Sequence, residues 1–197
     1  DRTDDDGRED TLPLGIRDRI IRALCGTVES ISVAVPWALV EEVDNLLTGL
    51  MDGPPPQRLQ LARALVAIVD EHPDAIDGET LPLDTLLCGE SQRLRQVGAE
   101  LVASLSRNQP TAVVTTFPAL LDCLDAADPK LREVATDAIR ELSVVRPSPV
   151  VDETAAISRL LTDGSQTVRE NAVGTLIELC GTDSKAVWKQ EDQIRSA

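Results

Sequence analysis

The side chains that could act as nucleophiles or metal ligands are few and widely spaced. The chain has four cysteines, Cys25, Cys88, Cys123 and Cys180, and one histidine, His72. No two cysteines form a Cys-x-x-Cys pair, and zinc sites need cysteine and histidine ligands at short, recurring spacings. We therefore expect no metal centre and no cofactor. Cys88 and Cys123 fall at the apolar ends of helical runs, which predicts that both are small residues of the core.

The sequence also shows no catalytic pair. His72 stands in the run Asp-Glu-His-Pro-Asp at the end of a helical pattern, where a cationic side chain favours the exposed carbonyl groups. Adjacent carboxylates such as Glu41 and Glu42 are typical of a solvent-exposed face. Gly53 precedes three prolines rather than the lysine and serine of a phosphate-binding loop. The sequence therefore predicts a protein without catalytic activity.

The charge balance is strongly acidic and limits the classes of partner. The net charge is −15, the isoelectric point is about 4.4, and only three of the 19 basic residues are lysine. Nucleic-acid binders concentrate positive charge, so we expect no nucleic-acid partner. An aspartate-rich, lysine-poor surface resembles the proteins of extreme halophiles, in which molar salt screens self-repulsion, and so favours a halophilic archaeon as the source. A mesophilic acidic scaffold is the alternative.

No stretch of the sequence suggests membrane insertion or export. A spanning helix needs about 20 apolar residues, and the longest apolar patch near the start, residues 31–40, is broken by Ser32 and Pro36. The N-terminal residues are acidic, whereas a signal peptide begins with basic residues. The sequence therefore predicts a cytoplasmic protein.

One helical pattern recurs along the chain and would position any binding site. With Leu131 as position 0, apolar or small residues follow at the one-sided spacing of an amphipathic helix. The same pattern opens at Arg58, Leu94 and Val168. Its further members are Leu61, Ala62, Leu65, Val66 and Val69; Val97, Gly98, Leu101, Val102 and Leu105; Val134, Ala135, Ala138, Ile139 and Leu142; and Ala172, Thr175, Leu176 and Leu179. A fixed period of 36 or 37 residues indicates a solenoid, in which each unit buries its apolar face against its neighbours.

Each unit is predicted to be two antiparallel helices. The first helices align on Leu47, Leu50 and Met51; Leu83, Leu86 and Leu87; Leu120, Cys123 and Leu124; and Ile157, Leu160 and Leu161. Ser91, Asp128 and Ser165 stand where N-caps belong, three residues before position 0. Prolines follow the second helices and end them. The expected fold class is all-α, a right-handed α-α superhelix of about four helical-hairpin repeats.

The predicted boundaries divide the chain into a tail and one solenoid. Residues 1–11 carry charge without an apolar period and are expected to be a disordered tail or, alternatively, a functional acidic arm. A half-repeat spans 12–34, and the full repeats span 36–74, 79–110, 114–147 and 153–183. A single terminal helix is expected at 185–195, where Trp188 either shields the end of the core or belongs to the stub of a further unit.

The string of Leu131, Arg132, Ala135, Ala138, Ile139 and Leu142, which returns from Val168 and Arg169, resembles the second helix of HEAT repeats and of the similar repeats of the phycobilisome-lyase type. The resemblance covers about residues 36–183. It implies a ladder between neighbouring units, in which Arg95, Arg132 and Arg169 match the arginine and Asp128 and Asp163 match the aspartate. The first unit departs from it, with Leu59 at the arginine position. The resemblance implies a scaffold or adaptor that binds another protein; an enzyme subunit of the lyase type is the alternative.

The same resemblance implies that the second helices line a concave face. Residues two, five and nine places after position 0 are expected to point away from the core and to contact a partner. The predicted contact residues are Gln60, Arg63, Gln96, Glu133, Thr136, Arg140, Glu170, Val173 and Ile177. The stripe becomes apolar at Val173 and Ile177, which is typical of a partner site if these residues are exposed. The alternative is that both pack against the terminal helix around Trp188.

Overall fold

The computed structural model describes residues 26–28, 30–31, 36–89 and 91–196, and this part of the chain is a stack of helices. Four long helices dominate it: α2 (Pro55–Glu71), α4 (Gln92–Asn108), α7 (Pro129–Val145) and α10 (Gln166–Thr182). Each has 17 residues, and each begins 37 residues after the one before it. Consecutive long helices pack side by side and share one continuous core of Leu, Val, Ile and Ala.

Helix α7 shows why the sequence forms these long helices. The Asp128 side chain accepts a hydrogen bond from the Lys130 amide, and Pro129 occupies the first turn, where its missing N–H costs nothing. The apolar residues predicted from the period, from Leu131 to Leu142, are all buried. The helix ends before Pro147, which begins the next short helix.

The first half of each later unit is more broken than predicted. Between α4 and α7 lie two short helices, α5 (Pro110–Val114) and α6 (Phe117–Asp122), and a 3-10 turn at Cys123–Asp125 extends α6. The next unit repeats this arrangement with α8 (Pro147–Val151), α9 (Thr154–Arg159) and a 3-10 turn at Leu160–Thr162. The prediction of two helices in each unit is therefore wrong here, because these units contain three.

The first two units have a different first half. Helix α1 (Val43–Asp52) follows a 3-10 segment, Pro36–Glu42, and leads directly into α2. Two 3-10 turns, Pro73–Ala75 and Gly78–Thr80, precede the short α3 (Leu83–Leu87), which packs on α4. These segments include the apolar residues on which the predicted first helices were aligned.

The register of the first unit differs by one residue from the prediction. Gln57, the third residue of α2, is buried and corresponds to Leu94, Leu131 and Val168 at the same place in their helices. Arg58 then occupies the arginine position: its Nε donates to Leu50 O (2.9 Å) and its Nη2 to Met51 O (2.6 Å). Leu59 does not hold that position. The sequence did not reveal this register because the buried residue at position 0, Gln57, is polar. The apolar residues of α2 alone fit a pattern that starts at Arg58 equally well.

The C-terminal segment is two short helices rather than one. Helices α11 (Ser184–Trp188) and α12 (Glu191–Ser196) begin 37 residues after α8 and α9, so they repeat the first two helices of the preceding unit. Val187 packs into the core, whereas 65% of Trp188 is exposed. The prediction that Trp188 shields the end of the core is therefore wrong, and Val187 fills that place.

Several sequence predictions concern residues outside this description. The acidic tail at 1–11 and most of the half-repeat at 12–34, including Cys25, lie outside the described residues. Residues 26–28 and 30–31 are helical. None of the helices in the described ranges has both the length and the apolar composition that crossing a bilayer requires.

Candidate binding surfaces

Each long helix that is followed by another contacts the next unit through one of its flanks. With position 0 at Gln57, Leu94, Leu131 and Val168, position +5 is covered by the next unit at Ala62, Ala99 and Thr136. Position +12 is covered in the same way at Val69, Ser106 and Ser143. Thr136 was predicted to face a partner, but it is only 2% exposed and receives a hydrogen bond from Asn171 Nδ2 (3.3 Å). That prediction is wrong because the flank of α7 is the interface with α10.

An ion pair joins the third and fourth units. Arg132 Nε and Nη2 donate to the two carboxylate oxygens of Asp163 at 2.8 and 2.9 Å, and Arg132 Nη1 donates to Ala126 O in its own turn. This paired geometry is the strongest hydrogen-bonded contact that arginine makes with a carboxylate. The hydrogen bond from Arg132 holds the pKa of Asp163 below its ordinary value. The residues that the resemblance matched to the ladder are thus in contact at this step.

The other predicted ladder residues behave differently. Arg169 Nη1 donates to Asp163 O and Gly164 O (2.7 and 3.2 Å), which holds the turn before α10. Arg95 is half-buried, and its Nε has no hydrogen-bond partner among the described residues. Asp128 accepts from Gln96 of the preceding unit, and hydrogen bonds led by that from Gln92 lower its pKa. Between the second and third units, the side chain that contacts the aspartate is therefore a glutamine, Gln96, and not the predicted arginine.

Other predicted contact residues also serve the stack. Glu133 accepts a hydrogen bond from the Ser165 hydroxyl (2.7 Å), so Ser165 stands at the N-cap position but makes no side-chain cap. Ser91 likewise makes no side-chain cap. Gln60 is half-buried, and its Oε1 has no partner among the described residues. The remaining predicted contact residues, Arg63, Arg140, Glu170, Val173 and Ile177, are exposed.

A groove crosses all four long helices on one side of the stack. It has a volume of about 420 Å³. Its walls are Val66 and Asp70 of α2; Glu100, Ala103, Ser104 and Arg107 of α4; Lys130, Glu133, Val134 and Asp137 of α7; and Thr167 and Asn171 of α10. We call this surface the groove. Of the predicted contact residues, only Glu133 lines it, so the stripe predicted from the sequence and the groove are largely different surfaces.

The groove is acidic, and part of its charge is not neutralised. Lys130 lies 3.5 Å from Glu133, and Arg107 pairs with Glu141 at 3.1 Å. No salt bridge within the described residues engages the carboxylates of Asp70, Glu100 or Asp137. The pKa of Glu100 lies above its ordinary value because burial disfavours the charged carboxylate. The positive charges of the nearby Lys130 and Arg63 act in the opposite direction but have a smaller effect. A cation entering the groove would therefore meet three carboxylates that form no salt bridge with an arginine or lysine of the described residues.

Sequence reasoning missed Glu100 and Asp137, although the repeat carries a signal for them. Both stand at position +6 of their helices, and Arg63 stands there in α2. Charged residues at one repeat position, three units in succession, indicate a common exposed row. The predicted register of the first unit starts at Arg58 instead of Gln57. It assigns Arg63 to position +5, so the shared row was not apparent from the sequence.

A second surface, the end pocket, lies at the C-terminal end of the stack. Its volume is about 510 Å³. It is formed by Leu161 and by Arg169, Val173, Leu176, Ile177 and Cys180 of α10, and it is closed on one side by Val187 of α11 and Ile194 of α12. Val173 is 45% exposed and Ile177 is 64% exposed. The alternative that the terminal segment covers both side chains around Trp188 is therefore wrong.

The candidate chemical groups show no organised centre in the described part of the chain. Cys123 is buried as predicted, and burial raises the pKa of its thiol to about 11. Cys88 is exposed, so its prediction as a core residue is wrong; it follows α3 at a helix end that faces solvent. His72 directly follows the last residue of α2, as the sequence predicts. No cluster of three metal-ligating side chains occurs among the residues described here.

The stack is similar in fold to several solved helical-repeat proteins. Computationally designed armadillo repeat proteins for modular peptide recognition superpose with a TM-score of 0.75 at 17% identity, covering 92% of this chain and 83% of that one. A designed armadillo repeat protein in complex with the peptide (KR)4 gives 0.74 at 17% identity, with coverages of 92% and 83%. An engineered protein gives 0.73 at 19% identity, covering 93% and 81%.

Identities this low establish a common fold and leave function open. No protein-family model matches the chain, and no curated protein matches it. The structural likeness confirms the predicted fold class, an all-α solenoid wound as a right-handed α-α superhelix.

Proposed function

We propose that this protein is a non-catalytic binding scaffold whose groove holds an extended, basic peptide segment of a partner protein. One observation carries the proposal: a single groove crosses all four long helices and presents carboxylates that are free of salt bridges in the described structure. The length also fits. Helices pack about 10 Å apart, so four helices span about 30 Å, which an extended peptide of roughly nine residues covers at about 3.3 Å per residue.

Charge supports a basic rather than a neutral ligand. Asp70, Glu100 and Asp137 come from three successive long helices, so lysine or arginine side chains along one peptide would meet a carboxylate at each of α2, α4 and α7. The net charge of −15 attracts cations over a longer range and speeds association. The structural neighbour solved with the peptide (KR)4 shows that a solenoid of this fold accommodates a ligand of this class.

The test is fluorescence anisotropy with a labelled eight-residue peptide of alternating lysine and arginine. We expect saturable binding that weakens as salt is added, because added salt screens the ion pairs. The triple variant Asp70→Asn, Glu100→Gln, Asp137→Asn should weaken binding at least tenfold. If an acidic peptide bound equally well, a groove specific for cations would be excluded.

A matched variant separates the groove from general attraction. Asp44→Asn, Asp84→Asn and Asp152→Asn replace exposed carboxylates outside the groove. Each triple variant removes three negative charges, so the net charge changes from −15 to −12 in both. The control should lose less than about threefold in affinity, since its carboxylates act only at long range. Equal losses in both variants would mean that the peptide binds the overall negative field and not the groove.

An enzyme subunit of the lyase type remains the alternative that the sequence resemblance raises. It needs a reactive thiol beside a cleft, and Cys180 is exposed at the edge of the end pocket. Arg169 is the one basic side chain in that pocket, and the described pocket residues include no histidine that could act as a base. We favour the scaffold for this reason. Selective alkylation of Cys180 by stoichiometric iodoacetamide at neutral pH would favour the enzyme.

We further propose that the protein works in the cytoplasm of a halophilic archaeon and binds no nucleic acid. The scarcity of lysine and the net charge of −15 support both statements, because an acidic surface repels phosphate backbones and tolerates molar salt. A labelled single-stranded oligonucleotide should show no change in anisotropy with added protein. Binding that falls with salt, as phosphate contacts do, would contradict the proposal.

A further inference from the structure

A cavity of about 540 Å³ lies where the first halves of the second and third units meet. Its walls are the 3-10 turn Gly78–Thr80, the first residues of α3, and α5 with the junction between α5 and α6. Four threonines line it: Thr85, Thr111, Thr115 and Thr116. We call this site the threonine cavity. It shares no residue with the groove, so the two surfaces are separate.

The walls of the threonine cavity are fixed by the side chain of Gln109. Its Nε2 donates to Pro73 O and Ile76 O at 2.7 and 2.6 Å, and its Oε1 accepts from the Gly78 amide at 2.7 Å. A Cβ on Gly78 would lie 2.8 Å from Ala112 Cβ, so glycine allows the turn to pack directly on α5. All of these contacts are internal to the protein. The cavity is therefore pre-formed, as small-molecule sites usually are.

Thr116 is the most buried of the four threonines, and its hydroxyl is unused. It is only 3% exposed, and the hydroxyl has no hydrogen-bond partner among the described residues. The other buried threonines of the described chain each donate to a backbone carbonyl oxygen: Thr136, Thr154 and Thr175. Thr116 stands at the N-cap of α6, but Pro118 in the first turn has no N–H to donate, and no side-chain cap forms. A buried hydroxyl without a partner is unfavourable, so a ligand in the cavity that bonds it is stabilised.

The other polar groups of the threonine cavity are also free to bond a ligand. Thr85, Thr111 and Thr115 are exposed, and their hydroxyls make no hydrogen bond within the described structure. Each hydroxyl can both donate and accept. Glu79 and Asp84 are also exposed and add carboxylate oxygens, which no salt bridge of the described residues engages. The cavity therefore offers several hydrogen-bonding groups to one small molecule.

The repeat does not account for this cluster of hydroxyls. Helix α8 of the fourth unit begins 37 residues after α5 and has the same length. The counterparts of Thr111, Thr115 and Thr116 in that unit are Ser148, Asp152 and Glu153. The solenoid therefore forms without threonine at these places, and the stacking of units is not the reason for the cluster.

The charges of the threonine cavity favour a neutral ligand. Its lining includes no lysine, arginine or histidine, so a phosphate or carboxylate ligand would meet only the like charges of Glu79 and Asp84. A cation would gain little, because both of these carboxylates are exposed to water and exposed ion pairs contribute weakly. The most buried polar side chain, Thr116, is uncharged and needs a hydrogen-bonding group rather than an ion.

The remaining walls and the size of the cavity favour a molecule with an apolar side. Leu81, Pro82 and Ala112 line the cavity beside the hydroxyl groups. A sugar ring presents hydroxyl groups at its edge and C–H groups on its face, so it matches both kinds of wall. The volume also lies within the range of about 300–1,000 Å³ that small-molecule sites occupy.

We propose that the threonine cavity binds a neutral, polyhydroxylated small molecule, either a sugar or an open-chain polyol. The hydroxyl groups of the ligand exchange hydrogen bonds with Thr111, Thr115 and Thr116, and two adjacent hydroxyls donate to the carboxylate of Glu79 or Asp84. This site is separate from the groove, so the inference stands whether or not the groove binds a basic peptide.

The test is a titration of the full chain, with isotope-labelled threonine methyl groups, followed by NMR. The probes are glucose, galactose, trehalose, sorbitol and glycerol. We expect saturable shifts of the Thr111, Thr115 and Thr116 methyl signals, while the signal of Thr175, a buried threonine outside the cavity, stays in place. Tighter binding of the ring sugars identifies a sugar as the ligand, and tighter binding of sorbitol identifies a polyol. The absence of a saturable shift with all of these probes, or equal shifts at Thr175, would overturn the proposal.

Substitutions locate the binding in the cavity. Thr116→Val replaces the hydroxyl by a methyl group of similar size and should weaken the tightest probe about fivefold, the loss of one neutral hydrogen bond. The urea midpoint of this variant should not fall, because the hydroxyl has no partner in the protein. Thr175→Val is the matched control, equally buried but outside the cavity, and should bind as the wild type does. Asp84→Asn, at an exposed position, should weaken binding several-fold. Unchanged affinity in both Thr116→Val and Asp84→Asn would overturn the proposal.

A cationic probe distinguishes the remaining class of ligand. Methylammonium chloride should shift the threonine signals no more than sodium chloride at the same concentration. Saturable binding of methylammonium that is tighter than that of every sugar and polyol would overturn the proposal in favour of a cation site. In parallel, a saturating sugar should leave the affinity of the alternating lysine-arginine peptide unchanged, so a failure of the threonine cavity and a failure of the groove are separately visible.

Discussion

Replacing Gly98 by alanine is expected to destabilise the protein, although alanine is the better helix former. Gly98 lies inside α4, and a Cβ added there would be 2.9 Å from Leu86 Cβ and 3.3 Å from the Leu86 carbonyl carbon. The same position is Ala135 in α7 and Ala172 in α10, where the structure accommodates a methyl group, whereas at Gly98 the Leu86 side chain and backbone leave no room for one. The glycine permits this approach.

The sign of the effect follows from two magnitudes. Alanine gains about 1 kcal/mol over glycine in a helix interior. Forcing a methyl group against a neighbouring backbone costs about 1–3 kcal/mol, because Leu86 and Leu87 belong to a short helix that must shift as a whole. We therefore expect Gly98→Ala to lower the free energy of unfolding by roughly 1 kcal/mol, or the melting temperature by about 3 °C for a chain of this size.

Gly174→Ala is the matched control, because Gly174 also lies inside a long helix. Its added Cβ would be 2.8 Å from Arg140 Nε, but Arg140 is exposed and its flexible side chain can move aside. The helix-propensity gain of about 1 kcal/mol should then prevail and stabilise the protein. Urea unfolding followed by circular dichroism measures both variants. A Gly98→Ala variant at least as stable as the wild type would refute the close packing of α3 on α4.

Four further predictions concern stability and reactivity. Asp163→Asn should cost about 2 kcal/mol, measured by urea unfolding, because it removes a paired, charge-assisted contact between units; an unchanged midpoint would contradict this. Since the pKa of Asp163 is lowered by folding, its contribution is present above the unfolded-state pKa of about 3.9 and is lost as the pH falls through the lower folded-state pKa, which acid titration of the unfolding midpoint checks. In a variant with Cys25 replaced by serine, a disulfide reagent should label Cys88 and Cys180 in the native protein. Cys123 should be labelled only after unfolding, because it is buried and the pKa of its thiol is raised. Labelling of Cys123 in the native protein would show that the core opens there. The melting temperature should rise from low to molar KCl as self-repulsion is screened, and a salt-independent value would exclude halophilic adaptation.

The long helices were predictable because local and tertiary signals agree in them. From Leu131 to Leu142 every residue of the apolar pattern is buried, and Asp128 and Pro129 mark the start of the helix as capping chemistry requires. The short helices were less predictable. Segments of five or six residues, such as α5 and α6, are too short to display a helical period, so one broken helix and two separate helices have the same apolar pattern.

The binding surfaces were harder to predict because a helix in a stack has two buried flanks. Ala99 and Thr136 are compatible with an exposed face by residue type, and only the position of the next unit shows that they are covered. In contrast, the apolar residues Val173 and Ile177 were recognised as unusual for an exposed face, and both are exposed. The groove was not predicted because acidic residues are common throughout a chain of net charge −15. A row of carboxylates at one repeat position therefore does not stand out from the rest of the sequence.

The most direct test of the central claim is a crystal structure of the protein with the eight-residue lysine-arginine peptide. The account predicts an extended peptide that crosses α4 and α7 in the groove, with basic side chains in ion pairs with Glu100 and Asp137. A peptide ordered on another surface, or an empty groove at saturating peptide concentration, would contradict the claim that this groove is the binding site.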